Sequence, residues 1–203
     1  MLKKALSAVG AVCIAFSLAL APLTAFAADF SIPRSVSYEI SSDIGTCSSV
    51  VINYKLMLTA AHCVEAVGQE IVVKDLMVGK VFKIDKSVDL ALVLLPVELK
   101  SISVASERPQ IDSDIVVVGY PLGVAQWATV GHVQGFIEAE GRMLISAPIA
   151  PGNSGAGVFM QYSDGSWVLV GVVSQVYGLM FNNILPHMGR VIDIDTINKF
   201  LKD

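Results

Sequence analysis

Three short segments of this 203-residue sequence carry side chains that together could perform acyl transfer. In Thr59-Ala60-Ala61-His62-Cys63 a histidine follows the apolar run Leu56-Met57-Leu58 and so stands at the end of an expected strand. In Ser87-Val88-Asp89-Leu90-Ala91-Leu92-Val93-Leu94-Leu95 an aspartate opens a nearly continuous apolar stretch, which sets its carboxylate at the margin of a core. In Pro151-Gly152-Asn153-Ser154-Gly155-Ala156-Gly157 a serine sits in a turn built largely from residues with little side chain, leaving its hydroxyl sterically open. A serine hydroxyl is a weak nucleophile at neutral pH and needs a base within hydrogen-bond reach. An imidazole is such a base, and a carboxylate behind it fixes its tautomer.

Each segment alone has a plainer account. A lone histidine is most often a satisfied structural residue, an aspartate before a strand serves as a turn or cap, and glycine-rich turns with serine are common. Asp85 competes with Asp89 four residues earlier, but it lies in a polar stretch with no apolar continuation, so Asp89 is preferred. His132 and His187 have no recognisable motif around them and read as structural or exposed residues. No spacing resembles a zinc or EF-hand site, so the expected chemistry needs no cofactor. Trp127, Trp167 and Tyr177 read as packing residues.

The chain around these segments is punctuated like a β protein. Residues 1–27 have the order of a cleavable secretory signal: Lys3 and Lys4, an apolar run from Ala5 to Ala21, Pro22, and the small-residue pattern Ala25-Phe26-Ala27. Cleavage there leaves 176 residues, enough for one compact domain or two small halves sharing a core. The expected product is an exported protein, periplasmic or secreted, with no stable membrane anchor. Of the three cysteines, Cys13 leaves with the signal. Cys47 and Cys63 remain, and an oxidising compartment favours a disulfide over two unrelated buried thiols. The net charge is −4, and the removed segment carries two lysines and no acid, so the remaining chain stands near −6. No cluster of lysine and arginine stands out along the chain, which argues against nucleic acid as a partner.

Short runs rich in valine and isoleucine, separated by Gly, Pro, Asn, Asp and Ser, predict strands at Val36–Ile40, Ser48–Ile52, Leu56–Thr59, Glu70–Val73, Val81–Ile84 and Leu90–Leu95. After a polar stretch over 97–110, further strands are expected at Ile115–Gly119, Trp127–Val130, Val133–Glu138, Met143–Ser146, Gly157–Gln161, Trp167–Val176 and Gly189–Ile192. Asp195 to Lys202 reads as a short C-terminal helix with lysines late, where the helix dipole favours them. Pattern alone gives an all-β chain and leaves sandwich or barrel open.

The three motifs together resemble those of trypsin- and chymotrypsin-like serine proteases. Gly119-Tyr120-Pro121-Leu122-Gly123 and Val130-Gly131-His132-Val133 look like second-barrel segments of the bacterial trypsin-like and heat-shock periplasmic members. The order His, Asp, Ser is that of chymotrypsin, and differs from the subtilisin and α/β-hydrolase orders. The resemblance implies two six-stranded antiparallel barrels with a short C-terminal helix. The first barrel would lie over about 28–96 and the second over about 111–192, with the helix over about 195–202. It implies a triad of His62, Asp89 and Ser154, an oxyanion hole from the N–H groups of Gly152 and Ser154, and a Cys47–Cys63 disulfide. Substrates would be polypeptides, held by Pro148, Ile149, Val173, Ser174, Gln175 and Val176. These positions supply no acid, which points to small or medium apolar side chains before the cut.

The sequence departs from digestive members at three places. Asn153 stands where those have an aspartate, which implies maturation without an ion pair to a freed N-terminus. Ala156-Gly157 replaces Gly-Pro, and Val176 replaces a glycine beside the cleft. A latent scaffold that keeps the fold, and an esterase using the same chemistry, are the competing readings.

Overall fold

The computed structural model describes residues 29–179 and 183–203, with side chains outside 176–186. The expected signal segment and Cys13, and the side chains of Val176 and Tyr177, lie outside the described residues. Thirteen strands and two helices are formed by them: α1 (Ser31–Ser35), β1 (Ser37–Ser42), β2 (Gly45–Asn53), β3 (Leu56–Ala60), β4 (Glu70–Val73), β5 (Met77–Asp85), β6 (Leu90–Leu94), β7 (Ser103–Val104), β8 (Asp114–Gly119), β9 (Trp127–Ile137), β10 (Arg142–Ile145), β11 (Gly157–Gln161), β12 (Trp167–Leu179), β13 (Asn183–Asp193) and α2 (Ile194–Lys202).

The first six strands close an antiparallel barrel in the order β1-β2-β3-β6-β5-β4, with β4 returning to β1 at Ile40↔Val73. In the second half β8-β9-β10-β13-β12-β11 is closed by pairing of β11 with β12, giving a second six-stranded barrel. The two barrels are those of the chymotrypsin-like fold.

Side chains alternate across a strand, so β6 serves two cores at once. Ala91 and Val93 point into the first barrel with Val51, Met57 and Ile71. Leu90 and Leu92 point the other way, and with Val50 and Leu58 they join the core of the second barrel. A strand buried on both faces must be apolar throughout, which is why Leu90-Ala91-Leu92-Val93 shows no polar alternation. This shared seam fixes the barrels against each other with the start of β6, and hence Asp89, beside it.

Four features differ from the sequence expectation. The two strands expected at 127–130 and 133–138 form one, β9, because Gly131 has no Cβ and lets the strand pass close against the backbone of Ala147. The polar connection contains β7, which pairs parallel to β12 through Val168↔Ser103 and Leu169↔Val104. The C-terminal helix is capped two residues earlier than Asp195: the Asp193 carboxylate accepts from the Thr196 N–H at 2.9 Å. Its apolar face, Ile194, Ile197 and Phe200, is buried. Helix α1 was not expected.

Candidate active site

His62 lies on a single 3-10 turn, Ala61–Cys63, that ends β3. Cys63 is joined to Cys47 of β2 with Cα atoms 6.2 Å apart, so a covalent bond ties the turn to the neighbouring strand. Asp89 precedes β6 in a left-handed conformation, φ 64°, which is costly for a residue with a Cβ. What holds it there is visible: its carbonyl accepts from the Ala61 N–H at 3.0 Å, and Oδ1 accepts from the His62 backbone N–H at 3.0 Å. His62 Nδ1 lies 3.0 Å from both carboxylate oxygens, and the Ser174 hydroxyl donates to Oδ2 at 2.5 Å.

An ionised carboxylate only accepts, so Nδ1 carries the imidazole proton and Nε2 is left with a free lone pair. Burial of Asp89 works against its charge, but the bonds from His62 and Ser174 outweigh it and hold the carboxyl below its ordinary value. The pair is unequally exposed, 46% for the histidine side chain and 14% for the aspartate. The acceptor nitrogen can therefore meet a substrate while its orienting partner stays shielded. Asp85 does not compete for the histidine; it accepts from the N–H and hydroxyl of Ser87.

The Ser154 turn is braced from the first barrel by Ser48 of β2. The Ser48 N–H donates to the Ser154 carbonyl at 2.8 Å, and its hydroxyl donates to the Gly152 carbonyl at 2.8 Å and accepts from the Tyr120 N–H at 2.9 Å. From the second barrel, the Gly155 N–H donates to the Val173 carbonyl at 2.8 Å. Gly152 has φ +93°, and a Cβ there would lie 2.5 Å from the Tyr120 carbonyl oxygen, so glycine is required. With these carbonyls taken up, the N–H groups of Gly152 and Ser154 find no acceptor among the described residues. No hydrogen bond joins Ser154 to His62 among those residues. Asn153 is buried, its side-chain oxygen without a hydrogen-bond partner.

Two cavities flank His62. One, of about 330 Å³, is lined by His62, Asp89, Ser174 and Gln175 together with Lys86, Arg142 and Arg190. The other, of about 480 Å³, is lined by Ile44, Val64 and Glu65 among others. A larger cavity of about 780 Å³ runs along α2, away from Ser154, where Arg108 is tied up by Glu138, Asp193 and Asp195. Of the residues expected to hold substrate, Ser174 and Gln175 line the cleft beside His62. Ile149 and Val173 are packed in the second core, and Pro148 is exposed with its carbonyl accepting from Thr129. Ser48 escaped the sequence reading; its one signal was its place directly after Cys47. Among the described residues no group of three or more His, Cys, Asp or Glu is placed to hold a metal ion.

Residues 45–172 match the trypsin-like peptidase domain, more than half of the sequence, and the chain belongs to that family. No curated protein matches it significantly. Among solved structures it is similar to a serine endoprotease from Yersinia pestis, at 17% identity and a TM-score of 0.69, covering 85% of this chain and 64% of that one. It is also similar to the Rv3671c protease from M. tuberculosis in its active form, at 20% identity and a TM-score of 0.67, covering 85% and 82%. The HtrA-type protease AlgW, solved with a tripeptide, gives 17% identity and a TM-score of 0.70, covering 85% and 61%. The chain thus spans somewhat under two thirds of the length of the Yersinia and AlgW chains. At these identities the likeness is one of fold.

Proposed function

We propose that this chain is an exported serine endopeptidase in which His62, Asp89 and Ser154 form the catalytic triad. The observation that carries the reading is the His62–Asp89 pair, locked by Ser174 and the backbone so that Nε2 is the free acceptor, beside a serine turn with two unsatisfied N–H donors. Ser154 Oγ attacks the scissile carbonyl carbon while its proton passes to His62 Nε2. The oxyanion accepts from the Gly152 and Ser154 N–H groups, and collapse expels the amine, which takes the proton from Nε2. Water then repeats the sequence on the acyl-enzyme, and the acid leaves. Substrate pairs as an added strand with the edge of β12 from Ser174 onward, which β11 leaves open beyond Gly157↔Val172. For a preference for small or medium apolar residues, the support is that Ser174 and Gln175, the two expected positions that line the cleft beside His62, are uncharged, whereas Ile149 and Val173 are packed in the second core. Export fits the disulfide, and no helix among the described residues is long and apolar enough to cross a membrane.

One observation favours a second reading, a latent protease-fold scaffold: Ser154 and His62 are not hydrogen-bonded to each other. Incubation of the protein, and separately of Ser154→Ala, with a denatured peptide library decides between them. New termini found with the intact serine alone are the expected result. No cuts with either chain would establish the latent reading.

A further inference from the structure

No basic cluster is visible along the sequence, yet folding gathers Lys86, Arg142 and Arg190 around one cleft beside His62 in a chain of net charge −4. Their charges are unevenly answered. Arg190 donates to the carboxylate of Glu140 and to Gln175 Oε1. Arg142, half-buried, donates to neutral carbonyls alone, those of Glu140, Gly141 and Val88 at 3.1, 3.3 and 3.2 Å, and has no carboxylate in contact. Lys86 is exposed and makes no hydrogen bond or ion pair among the described residues. Burial and the Arg190 charge hold the Arg142 guanidinium below its ordinary value, against the pull of Asp89. The opposing charge on the wall, Asp89, has both oxygens committed to His62 and Ser174.

We propose that this cleft is a subsite for the side-chain carboxylate of an Asp or Glu in the polypeptide substrate, held by Lys86 and Arg142 a short distance from the scissile bond. The inference rests on the endopeptidase reading above. A peptide lying along β12 from Ser174 passes the mouth of this cleft, because Gln175 is both on that edge and in its wall. A carboxylate there meets two cations that have no ion-pair partner in contact among the described residues, although Asp89, Glu140 and Asp193 act on Arg142 from farther off. An acidic residue near the cut, held in the cleft that Ser174 and Gln175 also line, then adds a charged determinant to the substrate.

A random peptide library passed over immobilised Ser154→Ala protein tests it without requiring turnover. The retained peptides should be enriched in Asp or Glu, and Lys86→Glu on that background should remove the enrichment, as should 0.5 M salt. With the intact serine, kcat/KM for a cleaved peptide should fall about two- to five-fold on Glu→Gln replacement in that peptide, the range of an exposed ion pair. Lys86 is exposed and makes no hydrogen bond or ion pair among the described residues, so Lys86→Glu should spare the fold, which thermal melting checks; Arg142 is left intact because it braces Val88 next to Asp89. A retained pool without acidic bias, or no retention, overturns the inference. Cuts by the intact protein with no acidic bias overturn it while leaving the endopeptidase reading standing, whereas retention of acidic peptides without cuts overturns both the substrate subsite and that reading and leaves an acidic-peptide binding cleft.

Discussion

Among the described residues, two histidine–aspartate pairs have the same length. His62 Nδ1 and His132 Nδ1 each stand 3.0 Å from an aspartate oxygen, and each has a serine nearby. Around His132 the resemblance stops there. Asp114 is 91% exposed with one partner, and Ser146 spends its hydroxyl on the backbone of His132, accepting from its N–H at 2.9 Å. Around His62 the aspartate is shielded, and its carboxylate accepts from three donors, the His62 backbone N–H, His62 Nδ1 and the Ser174 hydroxyl. The serine belongs to a separate turn with its own braces. The distance between partners is the same at both pairs; what surrounds the carboxylate differs, and the proposed catalytic role belongs to the shielded one.

The largest consequence of that difference lies in the acids and the serine. Ser154→Ala or His62→Ala should lower kcat by about 10⁴- to 10⁶-fold, and Asp89→Asn by about 10⁴-fold, since the amide favours the wrong imidazole tautomer. Asp114→Asn and His132→Ala should leave steady-state rates within about two-fold, as an exposed pair would. Comparable losses at both pairs would erase the distinction. The covalent tie comes next. Converting Cys47 and Cys63 to serine should cost about 3 kcal/mol of stability by urea unfolding, given the 16-residue separation, and an unchanged midpoint would refute this. Ser48→Ala should then cost about five- to ten-fold in kcat with KM little changed, because a part-buried hydrogen bond bracing the Ser154 turn is lost. An effect on KM alone would make Ser48 a binding residue instead.

The smallest effect is on pH. In the proposed triad Asp89 orients His62 only while ionised, so the rate should fall as that carboxylate takes up a proton. Asp89 is held below the ordinary carboxylate value. Its contribution to stability is therefore complete above that ordinary value and is lost as pH falls through the lower, folded value. A pH–rate profile should thus decline on the acid side while circular dichroism still reports a folded chain, and His132→Ala should not move it. Simultaneous loss of rate and fold would contradict the order.

How much of this was legible in the sequence follows from how local each signal is. His62, Asp89 and Ser154 each sit in a segment whose neighbours mark it: a strand end with a half-cystine, the head of an apolar run, a turn of small residues. Most strands were legible because one face or both had to be apolar. The merging of β9 was not, since Gly131 reads as a break until Ala147 is seen to need its missing Cβ. Nor was β7, too short for any period, or the cap at Asp193, where two aspartates stand two apart and only the folded chain shows which reaches Thr196. Ser48 was hidden for a deeper reason. The three partners through which it braces the serine turn, Gly152, Ser154 and Tyr120, lie at least 72 residues away, and nothing local announces them. Lys86, Arg142 and Arg190 were scattered in the same way.

Labelling by a fluorophosphonate, read by peptide mapping, tests the central claim most directly, because the reagent reacts with a serine only where a neighbouring base activates it. One adduct is expected, on Ser154, lost in His62→Ala, strongly slowed in Asp89→Asn and unchanged in Asp114→Asn. No adduct on Ser154, or one that survives loss of His62, would contradict it.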